Sequence, residues 1–540
     1  MKNIIKILIL FIFYHFDSNA QSVNLYFKND SIVNSYKKSK KFESANLMYF
    51  FLEDSINQLH KNGYIDAEYL LNKFNNDHTA EIIIKNKVNN ITIKSDIEVF
   101  KDNFPKTIPY EDLDIQINKW IIHLEKQGQG LGKIYLSDHY ISKDTLYTTL
   151  NYTPDINRQI NEIVIEGYEK FPEGVRRDIV RKFKGKTMTD ENLQKLNSYL
   201  QQLNFINITK PAEILFEKNK TTTYIYTEKS KNNKFDGYVG FGNNEKRKLQ
   251  FNGYIDLNLN NIINKGEQTS INWRSDGNKQ TNFDFKTEIP YLFKTPIGIN
   301  FNLNLFRQDS TFQTNNINFG IKYYHNYNTK IGLTYKSNTS TYTTVLNNLG
   351  TNYNSRFYTL NFQKLIRAQH EDIFKDKAEI NLSIGTGSRI TDDSNTKQQT
   401  INIYAFYDIK ISNKNHIVLK NQTLYLNSKN YLINELYRAG GAQSFRGVNE
   451  NSLQGNTIFI INTEYRYILN PKLYVNTITD FAHINDKINQ TENNLYSYGI
   501  GIGIINKTTN VNINYVNYNK LKEQLKNNNF IINITLKTVF

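Results

Sequence analysis

Cysteine is absent from the 540-residue chain. That excludes disulfides, thiolate catalysis and cysteine-ligated metals, and it suits an oxidising compartment without demanding one. Long apolar runs are missing too. A helix that spans a bilayer needs ~20 apolar residues, and beyond the N-terminus no segment comes near that. Mean hydropathy is -0.58. A chain of this kind can sit in a membrane only as a closed β-barrel. Blocks of consecutive Lys or Arg are lacking, although the net charge is +15. A basic balance favours phosphates, but Lys, Asn and Ile are abundant throughout, which reads as a general residue bias. No nucleic-acid partner is expected. The nine His are scattered, with no HExxH, GxSxG or paired ligand spacing. Neither a cofactor, a metal nor an enzymatic reaction is predicted.

The N-terminus, "MKNIIKILILFIFYHFDSNAQS", has Lys2 and Lys6, an apolar run from Ile7 to Phe13, then Ser18-Asn19-Ala20. A charged start, a short apolar stretch and small residues make a secretory signal peptide cut after Ala20, covering residues 1–20.

From Gln21 to about Lys231 one order recurs: an amphipathic helix, a short break and two strands. The first copy is "ANLMYFFLEDSINQLHKNGYIDAEYLLNKF" with "HTAEIIIKNK", the second "YEDLDIQINKWIIHLEKQGQGLGKIYLSDH" with "KDTLYTTLNYTP", the third "MTDENLQKLNSYLQQLNFINITKPAEILFEK" with "TTTYIYTEK". Three modules are expected, over residues 21–88, 89–155 and 156–231. They align where each helix ends, at Leu59–Gly63, Leu124–Gly128 and Leu200–Asn204. Thr189, Asp190 and Glu191 suit the N-terminus of the third helix. Only the third copy shows a clear leading strand. Repeats of this length mark an array of small modules. Their sheet edges could add a partner's strand, or the modules could simply act as spacers.

From Phe235 the period becomes two. "INFNLNLF" sets Ile299, Phe301, Leu303 and Leu305 against Asn300, Asn302 and Asn304. "SYGIGIGI" sets Tyr498, Ile500, Ile502 and Ile504 against Gly499, Gly501 and Gly503, and "FIINITLKTVF" sets Phe530, Ile532, Ile534, Leu536 and Phe540 against Asn533, Thr535 and Lys537. Such alternation means half-buried strands. Sixteen are expected: 235–243, 248–261, 267–274, 279–288, 296–307, 315–326, 329–337, 355–364, 376–388, 399–412, 415–427, 456–469, 472–483, 495–505, 508–518 and 528–540. Most are near the ~9–11 residues that cross a bilayer at a tilt. Tight turns at 413–414, 470–471 and 506–507 alternate with long connections expected at 389–398, 428–455, 484–494 and 519–527. Short turns on one rim, long loops on the other and an even strand number describe an outer-membrane barrel over residues 232–540. A secreted sandwich or adhesin would also alternate, but without sixteen up-and-down strands.

The longest loop holds "LYRAGGAQSFRGVNEN", Leu436–Asn451. Its "GGAQSFRGVNEN" resembles the signature loop of the BamA/TamA assembly-factor family: a glycine-rich run (Gly440, Gly441), then Phe445, Arg446, Gly447 and Val448. "IVIEGYEKFPEGVRRDIVRKF" in the third module resembles the start of a POTRA domain. The resemblance implies α+β POTRA-like repeats followed by a 16-stranded antiparallel transmembrane β-barrel. It also implies that the loop folds into the barrel and that its arginine meets an acid on the inner wall. The family's acid lies between an aromatic residue and a glycine at alternate positions; here those places hold Ile478, Asp480 and Ala482, a partial match. Parity supports it independently, because if Leu473, Val475 and Phe481 face lipid then Asp480 faces the lumen. Glu464 and Arg466 on the preceding strand also point inward, and Glu464 is a second candidate partner. A charge inside a pore needs pairing. Taken alone, Arg446 would read as a solvated loop residue.

The function implied is an outer-membrane insertion factor. Its modules, in the periplasm of a Gram-negative-type bacterium, receive unfolded outer-membrane or secreted clients, and the barrel passes them to the lipid bilayer. Accessory lipoproteins are further partners the resemblance allows. The alternative is a two-partner-type secretion pore for one dedicated polypeptide. The lateral seam, where the first strand meets the last, is expected at Val239 and Phe241 facing Ile532, Ile534 and Phe540. Gly237, Gly240 and Gly242 weaken its first strand by roughly 0.5–1 kcal/mol each relative to alanine.

Overall fold

The computed structural model describes residues 23–27, 39–74, 77–84, 87–95, 107–243, 249–276, 280–308, 311–342, 351–368, 373–506, 509–521 and 530–539. The expected signal peptide and Phe540 lie outside them. Two compact units emerge, one of residues 1–158 with 187–189, the other of 159–186 with 190–540.

The first unit holds two modules built alike. In the first, β1 (Val23–Phe27) and β2 (Ser39–Phe42) precede helix α1 (Ala45–Lys61), and β3 (Glu68–Phe74) and β4 (Asp77–Ile83) follow. The second repeats this with β5 (Asn90–Lys94), β6 (Thr107–Pro109), α2 (Leu113–Lys126), β7 (Lys133–Ser142) and β8 (Thr145–Thr153). Sheet orders are β2-β1-β4-β3 and β6-β5-β8-β7, with the first and last strands of each module parallel. Each helix buries one apolar stripe on its sheet. Met48 and Leu52 pack on Phe42 and Ala80, and Trp120 and Leu124 on Ile91, Ile93, Leu146 and Leu150. Both helices stop where a glycine takes a left-handed backbone, Gly63 at φ +93 and Gly128 at φ +81. Leading strands, which the sequence showed clearly only in the third copy, are therefore present in the first two as well, as β1 and β5.

The second unit begins with the third module: β9 (Glu162–Glu166), α3 (Glu173–Phe183), α4 (Asp190–Gln201), β10 (Ile206–Phe216) and β11 (Thr221–Lys229), in order β10-β11-β9. Its core is Val175, Ile179, Phe183, Leu196, Leu200, Phe205 and Ile225, all buried.

The barrel follows. Its strands are β12 (Lys234–Asn243), β13 (Leu249–Asn260), β14 (Gln268–Asp276), β15 (Gln280–Ile289), β16 (Ile297–Gln308), β17 (Phe312–Asn326), β18 (Thr329–Tyr342) and β19 (Tyr353–Arg367). After these come β20 (Asp376–Ile390), β21 (Asn395–Lys410), β22 (Asn415–Ser428), β25 (Thr457–Asn470), β26 (Leu473–Asp486), β27 (Thr491–Ile505), β28 (Thr509–Lys520) and β29 (Phe530–Val539). They form one closed antiparallel ring of sixteen. Two short strands, β23 (Tyr437–Ala439) and β24 (Leu453–Gly455), pair inside the long loop.

The outward face carries Ile317, Phe319, Ile321, Leu333, Leu360, Ile500, Ile502, Ile532 and Ile534, all exposed. A continuous apolar surface of this kind is stable only against hydrocarbon. Inward positions carry Asn302, Asn304, Asn316 and Asn318, which hydrogen-bond across strands. Two expected long loops are corrected. β20 and β21 run on to leave only 391–394 between them, and β26 and β27 leave only 487–490. These strands extend past the apolar belt, where the lipid no longer imposes alternation.

Candidate functional site

The loop between β22 and β25 enters the lumen on the β23–β24 ribbon, which sets Tyr437 opposite Gly455 and Ala439 opposite Leu453. Its descent needs backbone that side chains disfavour. Gly440 has φ +111, and a Cβ there would lie 2.7 Å from the Asn449 carbonyl. Gly447 has φ +94 and passes so close to β28 that a Cβ would stand 3.2 Å from Tyr518 Cβ. Phe445 and Val448 are buried with Ala439 against Ile458, Ile460, Ala482, Ile484 and Leu495. One inner wall of the barrel is thus apolar where the loop sits, so the loop is held by hydrophobic burial as well as by charge.

Between Phe445 and Val448 stands Arg446, 4% exposed. Its Nε donates to Asp480 Oδ2 at 2.8 Å, its Nη2 to Asp480 Oδ1 at 2.5 Å, and its backbone amide to Oδ2 at 3.1 Å. Its Nη1 donates to Glu464. The other oxygen of Glu464 accepts from Arg466 Nε at 2.8 Å and Nη2 at 2.7 Å. Arg466 in turn lies over the Phe374 ring, 4.7 Å from its centroid. The structure therefore brings Arg446, Asp480 and Glu464 together in one fully hydrogen-bonded array, the arrangement a buried charge requires.

The sequence reading missed a second anchor. Arg389, next to the last residue of β20 and on its inward face, is 1% exposed and forms an ion pair with Glu435 of the loop. Arg389 Nη2 also donates to Asn430 Oδ1 at 2.7 Å, and Gln398 to Glu435 at 2.9 Å. The signal was available: extending the odd-numbered inward parity of Asn381 and Ser383 by a few residues reaches Arg389.

Adjacent strands of the ring are joined at very different lengths. β12 pairs with β13 over ten positions, Lys234↔Asn258 to Asn243↔Leu249. β29 pairs with β28 over nine, from Thr509↔Thr538 to Asn517↔Phe530. Between β12 and β29 there are only two, Lys234↔Val539 and Phe235↔Thr538. Among the described residues, β29 from Phe530 to Lys537 has no partner on that side. Ile532 and Ile534 are 57% and 67% exposed. Val239 and Phe241 lie on β12 opposite Gly253 and Phe251 of β13.

At the other rim the third module is fastened to the barrel. Asp178 of α3 is fully buried. It accepts from Tyr199 at 2.6 Å and from Tyr291, in a barrel turn, at 3.0 Å, and it pairs with Arg181. Burial pushes both phenols above the usual tyrosine range, and the Asp178 carboxylate adds to the shift. Gly174 lets α3 approach, since a Cβ there would lie 2.7 Å from Tyr291 Cβ. Tyr168 bridges Asn261 and Asn264 at 2.8 and 2.9 Å, and Asn328 donates to the Gln202 carbonyl at 3.0 Å. The Phe205 and Tyr327 rings meet edge to face at 5.5 Å.

No protein-family model and no curated protein sequence matches the chain. Solved structures do match. CdiB from Escherichia coli aligns with a TM-score of 0.51 at 10% identity, over 92% of this chain and 97% of that one. CdiB from Acinetobacter baumannii aligns with a TM-score of 0.50 at 14% identity, over 84% and 90%. BamA from Haemophilus ducreyi lacking POTRA domains 1–3 aligns with a TM-score of 0.49 at 15% identity, over 84% and 100%. The likeness to the two CdiB structures establishes a common fold, α/β modules followed by a sixteen-stranded barrel.

Proposed function

We propose that the chain is an outer-membrane insertion factor of the BamA/TamA kind, with its modules in the periplasm. Unfolded clients reach the barrel through the modules and pair with β29 at the lateral seam. The observation that carries this reading is the two-residue pairing of β12 with β29, where the flanking seams have ten and nine. In hydrocarbon an unpaired backbone group costs several kcal/mol, so the uncovered edge of β29 is an acceptor for a strand that brings its own amides and carbonyls. The reading involves no covalent step. The apolar lock around Arg446 holds β25–β28 as one wall, leaving the soft edge at β12.

Were the two observed pairs continued in the same register, residue 239 would stand opposite 534 and 241 opposite 532. With no native cysteine to interfere, the pairs Val239→Cys/Ile534→Cys and Phe241→Cys/Ile532→Cys test the idea. Oxidation should lock the seam in at least one pair and stop insertion of a barrel client into vesicles, and reduction should restore it. Insertion that continues through a locked seam would defeat the proposal. Two cavities in the barrel lumen, of about 560 and 470 Å³ and lined largely by polar side chains, support a second reading, export of one polypeptide through the lumen, which that outcome would favour.

A further inference from the structure

Opposite the wall that holds the loop, the lumen is open and polar. Two cavities, about 560 and 470 Å³, lie against it. Five residues line both: Lys286, Asn302, Asn318, Lys336 and Asn402. Four of these make one continuous row across neighbouring strands, Lys286↔Asn302, Asn302↔Asn318 and Asn318↔Lys336. The two spaces therefore meet at a single band of the inner wall, and whatever passes along the lumen passes that band.

Its charge is one-sided. Lys286 is partnered by Asp284 at 3.0 Å. Just beyond, Lys322 and Lys330 share the single carboxylate of Glu288, which leaves a surplus positive charge. Lys336 donates to the hydroxyl of Ser383 at 3.2 Å and, among the described residues, meets no carboxylate. In the second cavity Glu435 is taken by Arg389, and Arg438 stacks over Phe306 and Phe312. Much of the remaining polar lining is carboxamide, and among the described residues the buried Oδ1 atoms of Asn318, Asn381 and Asn402 have no hydrogen-bond partner. Asparagine side chains can turn either end toward a passing ion, so the sign of the band rests on its lysines. Charges in a narrow space with low-dielectric walls focus the field and enrich counter-ions, and ionisable residues at membrane depth mark ion or substrate paths.

We infer that the lumen beside the loop is an anion-preferring path, with Lys336 as its selectivity-determining residue. It admits small anions and the carboxylates of any chain that enters. This does not depend on whether clients leave by the seam or by the lumen.

The test is single-channel recording of the full chain in planar bilayers under a KCl gradient. The reversal potential should show chloride preference, weakening as salt rises toward 1 M and the Debye length shrinks to ~3 Å. Lys336→Arg should keep the preference and Lys336→Met should reduce it severalfold. Lys336→Glu should turn it toward potassium, and Lys286→Met should also reduce it, since the Asp284 carboxylate is then left without its cation. Each variant is checked for the heat-sensitive gel mobility of a folded barrel, and Lys336→Met serves if the glutamate variant does not fold. A wild-type barrel that is cation-selective or non-conducting overturns the inference, as does a preference unmoved in the folded Lys336 variants.

Discussion

Replacing Arg446 with alanine removes three side-chain donors from two carboxylates, but the two are not left equally exposed to the loss. Glu464 keeps both hydrogen bonds from Arg466. Asp480 keeps no cation, and its side chain is 0% exposed. Orphaning a buried charge by removing its partner costs about 3–5 kcal/mol. The loop need not drag the barrel open to escape that cost; it can leave the wall. Release of the loop should therefore rise by about a hundredfold or more, at ~1.4 kcal/mol per tenfold. Protease cleavage within 429–452 of the folded barrel in vesicles measures this, with strand content followed by circular dichroism. Asp480→Asn removes the same ion pair from the other side and leaves Arg446 with Glu464, so its effect should be smaller. The double variant no longer buries an unpaired charge, and its release should not exceed that of Arg446→Ala. A coupling of about 2 kcal/mol, within the range for contacting residues, follows. Additive effects, or a loop equally protected in all four proteins, would refute the buried-pair reasoning.

Two further outcomes concern the junction of module and barrel. Gly174→Leu should pry α3 from the Tyr291 turn, because its Cβ would start 2.7 Å from Tyr291 Cβ; spin labels on α4 and on the 327–328 turn should then show a broadened distance while the barrel stays folded, and an unchanged distance counts against the junction. Tyr199 and Tyr291 have raised folded values, so their stabilisation is present below the ordinary tyrosine value of ~10 and is lost as pH rises above it. The junction should loosen in that alkaline range before the barrel unfolds, less so in Tyr291→Phe, and an unaltered pH profile in that variant would reject the assignment.

What was legible in the sequence follows the physics that writes it there. Lipid on one side and water on the other force alternation, and each of the sixteen expected strands overlaps one observed strand. Where lipid ends the rule ends. "GSRITDDSNTKQQT" continues β20 and begins β21, yet Arg389, Thr396 and Gln398 are buried against the loop rather than facing lipid, so their polarity read as a connection. Parity could place Asp480 in the lumen because Phe481 and Val475 flank it on the opposite face, and a charge pointing inward calls for a countercharge. The same logic fails at the junction. Tyr168 meets Asn261, Tyr199 meets Tyr291, and Gln202 meets Asn328 across more than ninety residues of chain, by hydrogen bonds that any exposed polar residue could make. Local pattern records which face a residue shows, and these contacts depend instead on which distant face it meets. Leading strands β1 and β5 fall between the two cases. Each has only five residues and lies parallel to a strand far along the chain, too short for a period to declare itself without that partner.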